Sequence, residues 1–119
     1  MIIAVSSQGK SLKDPIDLRF GRAAHFILYD TASDEYRALD NDNNLNAAQG
    51  AGIQAAQAVS RGKAEAVITG HCGPKAFSAL QAGGIAVYLC KENTVEEAIQ
   101  AYKKGRLEQA EEADRSAHW

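Results

Sequence analysis

One short segment of this 119-residue chain brings a thiol, an imidazole and a cation close together. Residues 70–75 read Gly-His-Cys-Gly-Pro-Lys, and Pro74 predicts the start of a helix because proline is favoured at the first helical position. A helix N-terminus attracts negative charge and offers free N–H groups, so it favours the thiolate of Cys72 and the binding of anions. The segment therefore predicts an anion-binding turn in which Gly70, Gly73 and Lys75 surround two soft metal ligands. Those ligands are His71 and Cys72.

A second source of positive charge is the stretch between residues 6 and 22. It contains Gly9 and Pro15 and has little hydrophobic periodicity, which indicates a long surface loop. Its cationic side chains are Lys10, Lys13, Arg19 and Arg22. Loops of this length are often functional, so we expect the loop to contribute to the same site.

The elements that must position these residues form an alternating pattern. Segments with the length and composition of strands are 2–5, 25–29, 35–39, 64–69 and 85–90. Segments with helical spacing and stop signals are 49–61, 74 to about 83, and 94 to about 105. The first helix has Ile53, Ala56 and Val59 on one face, and Thr94 with Glu97 has the spacing of a capping box. The order βββαβαβα predicts a single α/β domain over residues 1–105, followed by a charged tail, 106–119, whose order the sequence leaves open.

In an open α/β sheet, ligands bind at the carboxyl ends of the parallel strands. The loop after the first strand, the turn after the fourth and the segment 90–93 after the fifth all reach that edge. We expect Cys90 itself to be a core residue, because it ends a buried strand.

The overall composition excludes several classes of function. A net charge of −2 gives no general attraction for nucleic acid or for an acidic membrane surface. Two cysteines and no apolar leader favour a cytoplasmic protein, and no apolar run approaches the length of a membrane span.

Known enzymatic and metal-site motifs match poorly. Residues 40–44 alternate oxygen ligands, but Leu45 and Ala51 stand where a calcium loop needs Gly and Glu, so Asx turns that cap the next helix are favoured. Residues 50–55 match a dinucleotide fingerprint in letters only, because no strand precedes them. No Cys-x-x-Cys pair is present. The sequence therefore favours a binding protein over an enzyme.

Three segments occur in an order that identifies a family: Phe20-Gly21-Arg22, then residues 50–56, then Gly70 with residues 73–77. Together they resemble the dinitrogenase iron-molybdenum cofactor biosynthesis family over about residues 1–102. The resemblance implies a ribonuclease-H-like α/β fold with a mixed five-stranded sheet. It also implies a carrier or accessory role for metal-sulfur clusters, without catalysis.

By position, Arg22 corresponds to the family's loop arginine and residues 70–73 to its cluster-facing turn. The resemblance implies an anionic cargo, either an iron-molybdenum-sulfur cofactor or a molybdenum-copper-sulfide cluster of the kind held by orange proteins, and cofactor-assembly proteins as partners. Residues expected to assist are Lys10, Lys13, Arg19, Phe20 and Gly21. Two alternatives stay open: an interaction module that holds no metal, and, ranked below it, a thiol enzyme that uses Cys72. The sequence does not determine the oligomeric state.

Overall fold

A mixed sheet forms the centre of the fold in the computed structural model, which describes residues 1–41, 51–91 and 93–111. Its strands are β1 (Ile2–Ser7), β2 (His25–Asp30), β3 (Tyr36–Asp40), β4 (Ala66–Thr69), β5 (Ala86–Leu89) and β6 (Glu108–Ala110). Their order in the sheet is β3-β2-β1-β4-β5-β6. The central strands β1, β4 and β5 are parallel, and the other neighbours pair antiparallel. The carboxyl ends of the parallel strands therefore share one edge.

Three helices in this part of the chain cover the two faces of the sheet: α1 (Ala51–Arg61), α2 (Pro74–Ala82) and α3 (Val95–Lys103). Ala4 and Val67 lie in a core cluster with the buried residues of α1 and α2. Ile3 and Val5 lie in the cluster that contains the buried residues of α3. Because successive strand residues point to opposite faces, the apolar run of β1 supplies both cores.

The ends of α2 and α3 follow from local chemistry. Pro74 begins α2, and at the start of α3 the Thr94 hydroxyl accepts from the Glu97 N–H at 3.1 Å while the Glu97 carboxylate accepts from the Thr94 N–H at 3.0 Å. Gly105 follows α3 with a φ of 69°, a conformation that glycine adopts without strain. These features confirm the predicted capping box and stop signal.

The prediction of five strands was wrong, because the sheet has a sixth. β6 lies within the stretch that the sequence assigned to a charged tail, and its pairing with β5 joins Glu108 to Leu89 and Ala110 to Val87. The three residues of β6 have no pattern typical of a strand. Their pairing therefore depends on the edge that β5 offers. Within the described residues, the elements from β1 to α3 follow the predicted order βββαβαβα. The ribonuclease-H-like assignment stays a prediction.

Two further expectations differ in detail. Ile53 was expected on the buried face of α1, but it is 36% exposed, because Ala55, Ala56 and Val59 supply the close contact with the sheet. The expected Asx turns, the start of the first helix at residue 49 and the end of the tail fall at least partly on residues 42–50 and 112–119, outside the described residues. Among the helices of the described ranges, none is long and apolar enough to cross a membrane.

Candidate functional site

The loop that follows β1 is fixed to the sheet edge by buried polar groups. The Ser6 hydroxyl donates to the Asp17 carbonyl at 2.5 Å and lies 2.8 Å from the Thr69 hydroxyl. Ser6 and Thr69 are fully buried, and the Asp17 N–H donates back to the Ser6 carbonyl at 2.9 Å. Buried hydrogen-bonded groups hold their partners in one arrangement. The loop is therefore a fixed wall of the site, whereas the sequence predicted a surface loop that contributes to the site and gave no sign of these buried contacts.

The same loop pairs directly with the predicted anion-binding turn. The His71 N–H donates to the Leu18 carbonyl at 2.7 Å, and the Phe20 N–H donates to the His71 carbonyl at 3.1 Å. A Cβ on Gly70 would lie 2.9 Å from the Cα of Leu18, which is closer than real Cβ contacts allow. Gly70 is therefore required by the close approach of the loop to the turn.

The three segments that identified the family meet in one packing unit. A Cβ on Gly21 would lie 2.9 Å from the Cα of Gly52, and a Cβ on Gly52 would lie 2.8 Å from the Cβ of Ala76. Gly52 lies at the beginning of the described part of α1, and Ala76 is in the first turn of α2. Gly52 thus serves helix packing, although its letters match part of a dinucleotide fingerprint.

This packing brings α1 and the loop against the N-terminus of α2, which follows β4 at the carboxyl edge of the sheet. Arg22 follows Gly21, and Lys75 precedes Ala76. The N-terminus of α2 carries about half a positive charge, and two cations are next along the chain to the residues that pack there, so positive charge accumulates at this end of α2. An anion would be stabilised there.

Gly73 leaves the space in front of the α2 N-terminus open. It is the N-cap of α2 and gives no side-chain cap, and a Cβ added to it would meet nothing within 4 Å. Its φ of −70° and ψ of 172° suit any residue, so neither space nor backbone conformation requires glycine here. Because Pro74 has no N–H, the donors of the first turn belong to the residues that follow it.

The structure separates the two predicted metal ligands. Cys72 is 1% exposed and lies in the core cluster with Phe20 and Phe77, whereas His71 is partly exposed at the sheet edge. Cys90 is 3% exposed in the opposite cluster, which confirms that it is a core residue. In the described ranges, no group of three or more His, Cys, Asp or Glu side chains is arranged to hold a metal ion. The role of His71 and Cys72 as ligands stays a prediction, and burial puts the thiol out of direct reach.

The expected accessory residues occupy different environments. Lys10 lies 3.8 Å from an Asp40 carboxylate oxygen, and the Arg19 Nε lies 3.4 Å from an oxygen of the buried Asp17 carboxylate. Lys13 is exposed. Phe20 is 1% exposed and packs on Phe26 with ring centroids 5.2 Å apart, so it supports the site from the core and does not face a ligand.

Two adjoining clefts open beside the turn, and both are lined by Gln8, Leu18 and His71. One has a volume of about 350 Å³ and continues to Cys90, Lys91 and Asn93. The other has a volume of about 660 Å³ and continues to Asp17, Arg19 and Ala24. Sequence reasoning missed Gln8 and Leu18. A large apolar residue in an otherwise polar loop was the available signal, and Leu18 is indeed 45% exposed.

Two solved structures and one sequence relative are similar to this chain. The apo form of the orange protein from Desulfovibrio gigas is 39% identical with a TM-score of 0.93, and the match covers 95% of each chain. A NifB-like protein from Thermotoga is 36% identical with a TM-score of 0.84 over 97% of each chain. An uncharacterised protein of Methanocaldococcus jannaschii is 29% identical over 94 residues, which are 77% of this chain and 80% of that protein.

A family model confirms the resemblance that the three sequence segments indicated. The model described as dinitrogenase iron-molybdenum cofactor matches residues 1–105, which include every strand from β1 to β5 and all three described helices. The chain belongs to the dinitrogenase iron-molybdenum cofactor family.

Proposed function

We propose that this protein binds and carries an anionic metal-sulfur cluster, and that it catalyses no reaction of its own. The observation that carries the proposal is the packing of Gly21, Gly52 and the first turn of α2 at Ala76, with Arg22 next to Gly21 and Lys75 next to Ala76 along the chain. Family membership supports a role in cofactor biosynthesis or cluster transport. The cargo is an iron-molybdenum-sulfur cofactor or a molybdenum-copper-sulfide cluster.

In this proposal, electrostatic attraction makes the largest contribution to cluster binding. Lys75 and Arg22 supply full positive charges, and the first-turn N–H groups of α2 supply donors that no side chain of Gly73 caps. A cluster with a sulfide surface accepts such hydrogen bonds without losing its own internal ligands. The open space at Gly73 allows the cluster to approach the backbone closely.

His71 adds a partly exposed soft side chain to the site. It is joined to the loop through its backbone N–H and carbonyl, so its position is set by the same hydrogen bonds that hold Leu18 and Phe20. Cys72 is 1% exposed and contributes to the core beneath the turn. We therefore assign first contact with the cluster to His71 and the cations.

Anaerobic reconstitution tests the proposal. Metal-free protein is incubated with sulfide and with molybdate plus copper or with molybdate plus iron, passed through a gel-filtration column, and analysed for metal. We expect metal to co-elute with the protein. The double variant Arg22→Ala/Lys75→Ala should lose most of it, because both side-chain charges are removed, whereas Lys104→Gln, an exposed lysine at the far end of α3, should retain it.

The absence of co-eluting metal in every combination would contradict the proposal. Cys72→Ser distinguishes charge from ligation: equal retention of metal assigns the thiol to the core, and a loss of metal without a loss of folding makes it a ligand.

The alternative function is an interaction module in cofactor assembly that holds no metal itself. The exposed apolar side chains Leu18 and Ile53 favour it, because large apolar groups on a surface often mark protein contacts. An unchanged absorption spectrum on adding clusters, together with specific capture of a purified assembly protein, would support this alternative.

A further inference from the structure

The cleft of about 350 Å³ next to the turn lies on the side of the sheet edge that continues into the α3 core. Its lining residues follow β1, β4 and β5. Cys90 belongs to the α3 core, whereas Cys72, Ala56 of α1 and Ala76 of α2 belong to the opposite one. His71, which pairs with Leu18 and Phe20, is shared by the cleft and the proposed cluster site.

The topology makes this cleft a natural place for a ligand. From β1 the chain adds β2 and β3 on one side and then returns to place β4 on the other side, so the strand order reverses between β1 and β4. Crevices at such a point, outside the carboxyl ends of the strands, are where open α/β sheets bind small molecules. Gln8 follows β1, and Gly70 and His71 follow β4.

The walls of the cleft are preformed. The Ile16 N–H donates to the Asn93 carbonyl at 3.0 Å, and the Gln8 N–H donates to the Pro15 carbonyl at 3.0 Å. The Val95 N–H donates to the Asp14 carbonyl at 3.0 Å, which fastens the loop to the start of α3. A ligand would therefore lose little free energy to ordering of the site.

The chemistry of the lining defines the ligand. Ile16, Leu18 and Cys90 give an apolar surface, and Leu18 is a large side chain left 45% exposed. Polar groups stand around this surface: the Lys91 ammonium, the His71 ring, and the amides of Gln8 and Asn93. An apolar floor with a few polar groups is typical of small-molecule sites, and the volume is near the lower end of their usual range of about 300–1,000 Å³.

We infer that this cleft is a second binding site, for a small organic anion with a flat apolar body and one carboxylate or sulfonate group. The apolar body lies against Leu18 and Ile16, and the acidic group faces Lys91. The inference goes beyond the proposed cluster site, because it concerns the metal-free protein and a ligand held by Leu18, Ile16 and Lys91, none of which is assigned to the cluster; His71 borders both sites.

Two matched probes test it: naphthalene-2-sulfonate and the neutral naphthalene-2-sulfonamide, each titrated into metal-free protein and followed by amide chemical shifts. We expect saturable shifts concentrated in residues 8, 16–18, 70–71, 90, 91 and 93, and about three- to fivefold tighter binding of the sulfonate, as for an ion pair near the surface. Lys91→Gln should abolish that preference while leaving sulfonamide binding unchanged, Leu18→Ala should weaken both probes, and Lys104→Gln should change neither.

Shifts centred elsewhere, no saturation at millimolar probe, or a sulfonate preference that survives Lys91→Gln would each overturn the inference. Leu18 and Lys91 are exposed, so both variants should fold, and their spectra report this directly. Because no metal is present, failure here leaves the cluster proposal standing, and failure of reconstitution leaves this result standing.

Discussion

Two glycines of the turn between β4 and α2 have opposite roles. A Cβ on Gly70 would clash with the backbone of Leu18, whereas a Cβ on Gly73 would enter open space. Gly70→Ala should lower the free energy of unfolding by roughly 1–3 kcal/mol, because the loop must move to relieve the overlap. Gly73→Ala should cost only about 0.5 kcal/mol, the difference between these residues at an N-cap. Urea denaturation of both variants measures the contrast.

The same pair separates folding from binding. Gly73→Ala should lose little stability but most of its cluster retention in the reconstitution assay, since the new methyl group fills the space in front of the helix N-terminus. Full retention in Gly73→Ala would show that the cluster does not approach this backbone.

The thiols should be unreactive in the folded protein. Cys72 is 1% exposed and Cys90 is 3% exposed, so alkylation requires local opening. We expect iodoacetamide to modify both at least about tenfold more slowly in buffer than in denaturant, as followed by mass spectrometry. Rapid modification of Cys72 in the native protein would restore the thiol-enzyme alternative.

At the scale of elements, α3 is fastened to the turn between β2 and β3 by a polar cluster remote from the site. Lys103 Nζ donates to the Tyr29 hydroxyl and to Asp34 Oδ1, both at 2.8 Å, and the Tyr29 hydroxyl also donates to Asp34. The hydrogen bond from Lys103 contributes most to lowering the pKa of Asp34. The same hydrogen bond contributes most to raising the pKa of Lys103.

These shifts set a pH window for the variant Asp34→Asn, which keeps a residue tolerant of the φ of 63° at this position. The wild type should exceed it in free energy of unfolding at neutral pH. The difference should shrink in acid as pH falls through a folded pKa below the ordinary 3.8 of Asp34, and in base as pH rises through a folded pKa above the ordinary 10.5 of Lys103. Urea denaturation from pH 3 to 11 measures it, and a difference independent of pH would refute the ionic contribution.

The sixth strand can be tested by truncation. A chain ending at residue 105 leaves the edge of β5 without Glu108, Gln109 and Ala110, whereas a chain ending at residue 111 keeps all three pairs. We expect the shorter chain to have a lower melting temperature and to self-associate through the uncovered edge, as seen by gel filtration. Identical behaviour of the two chains would make residues 1–105 the complete folding unit.

The sequence predicted the elements whose formation depends on neighbouring residues. The apolar run of β1 and the capping box at Thr94 carry their own signals, so the element order followed from the sequence. β6 carries none, because its pairing depends on the edge of β5. The burial of Cys72 also depends on distant partners: the turn itself is a surface feature, and only the packing of α1 and α2 around Phe20 encloses the thiol. The roles of Arg22 and Lys75 stay predictions, and the sequence did not reveal Leu18 or the clefts.

At the scale of the whole molecule, charge is distributed unevenly. The chain has a net charge of −2, yet exposed or partly exposed cations at the carboxyl edge of the sheet include Lys13, Arg19, Arg22, Lys75 and Lys91. Attraction of an anionic cluster to such an edge depends on ionic strength, because the screening length falls from about 10 Å at 0.1 M to about 3 Å at 1 M salt. Ligation by a buried thiol would not depend on it in this way.

Retention of a reconstituted cluster should therefore weaken with salt. Between 0.05 and 0.5 M sodium chloride we expect the apparent dissociation constant to rise by roughly an order of magnitude in the wild type. The rise should be clearly smaller in Arg22→Ala/Lys75→Ala, because fewer charges remain to be screened, and unchanged from wild type in Cys72→Ser. Equilibrium dialysis with metal analysis gives the constants. A dissociation constant that does not change with salt in the wild type, or a salt dependence that disappears in Cys72→Ser, would show that the thiol and not the charged edge makes the main contribution to binding.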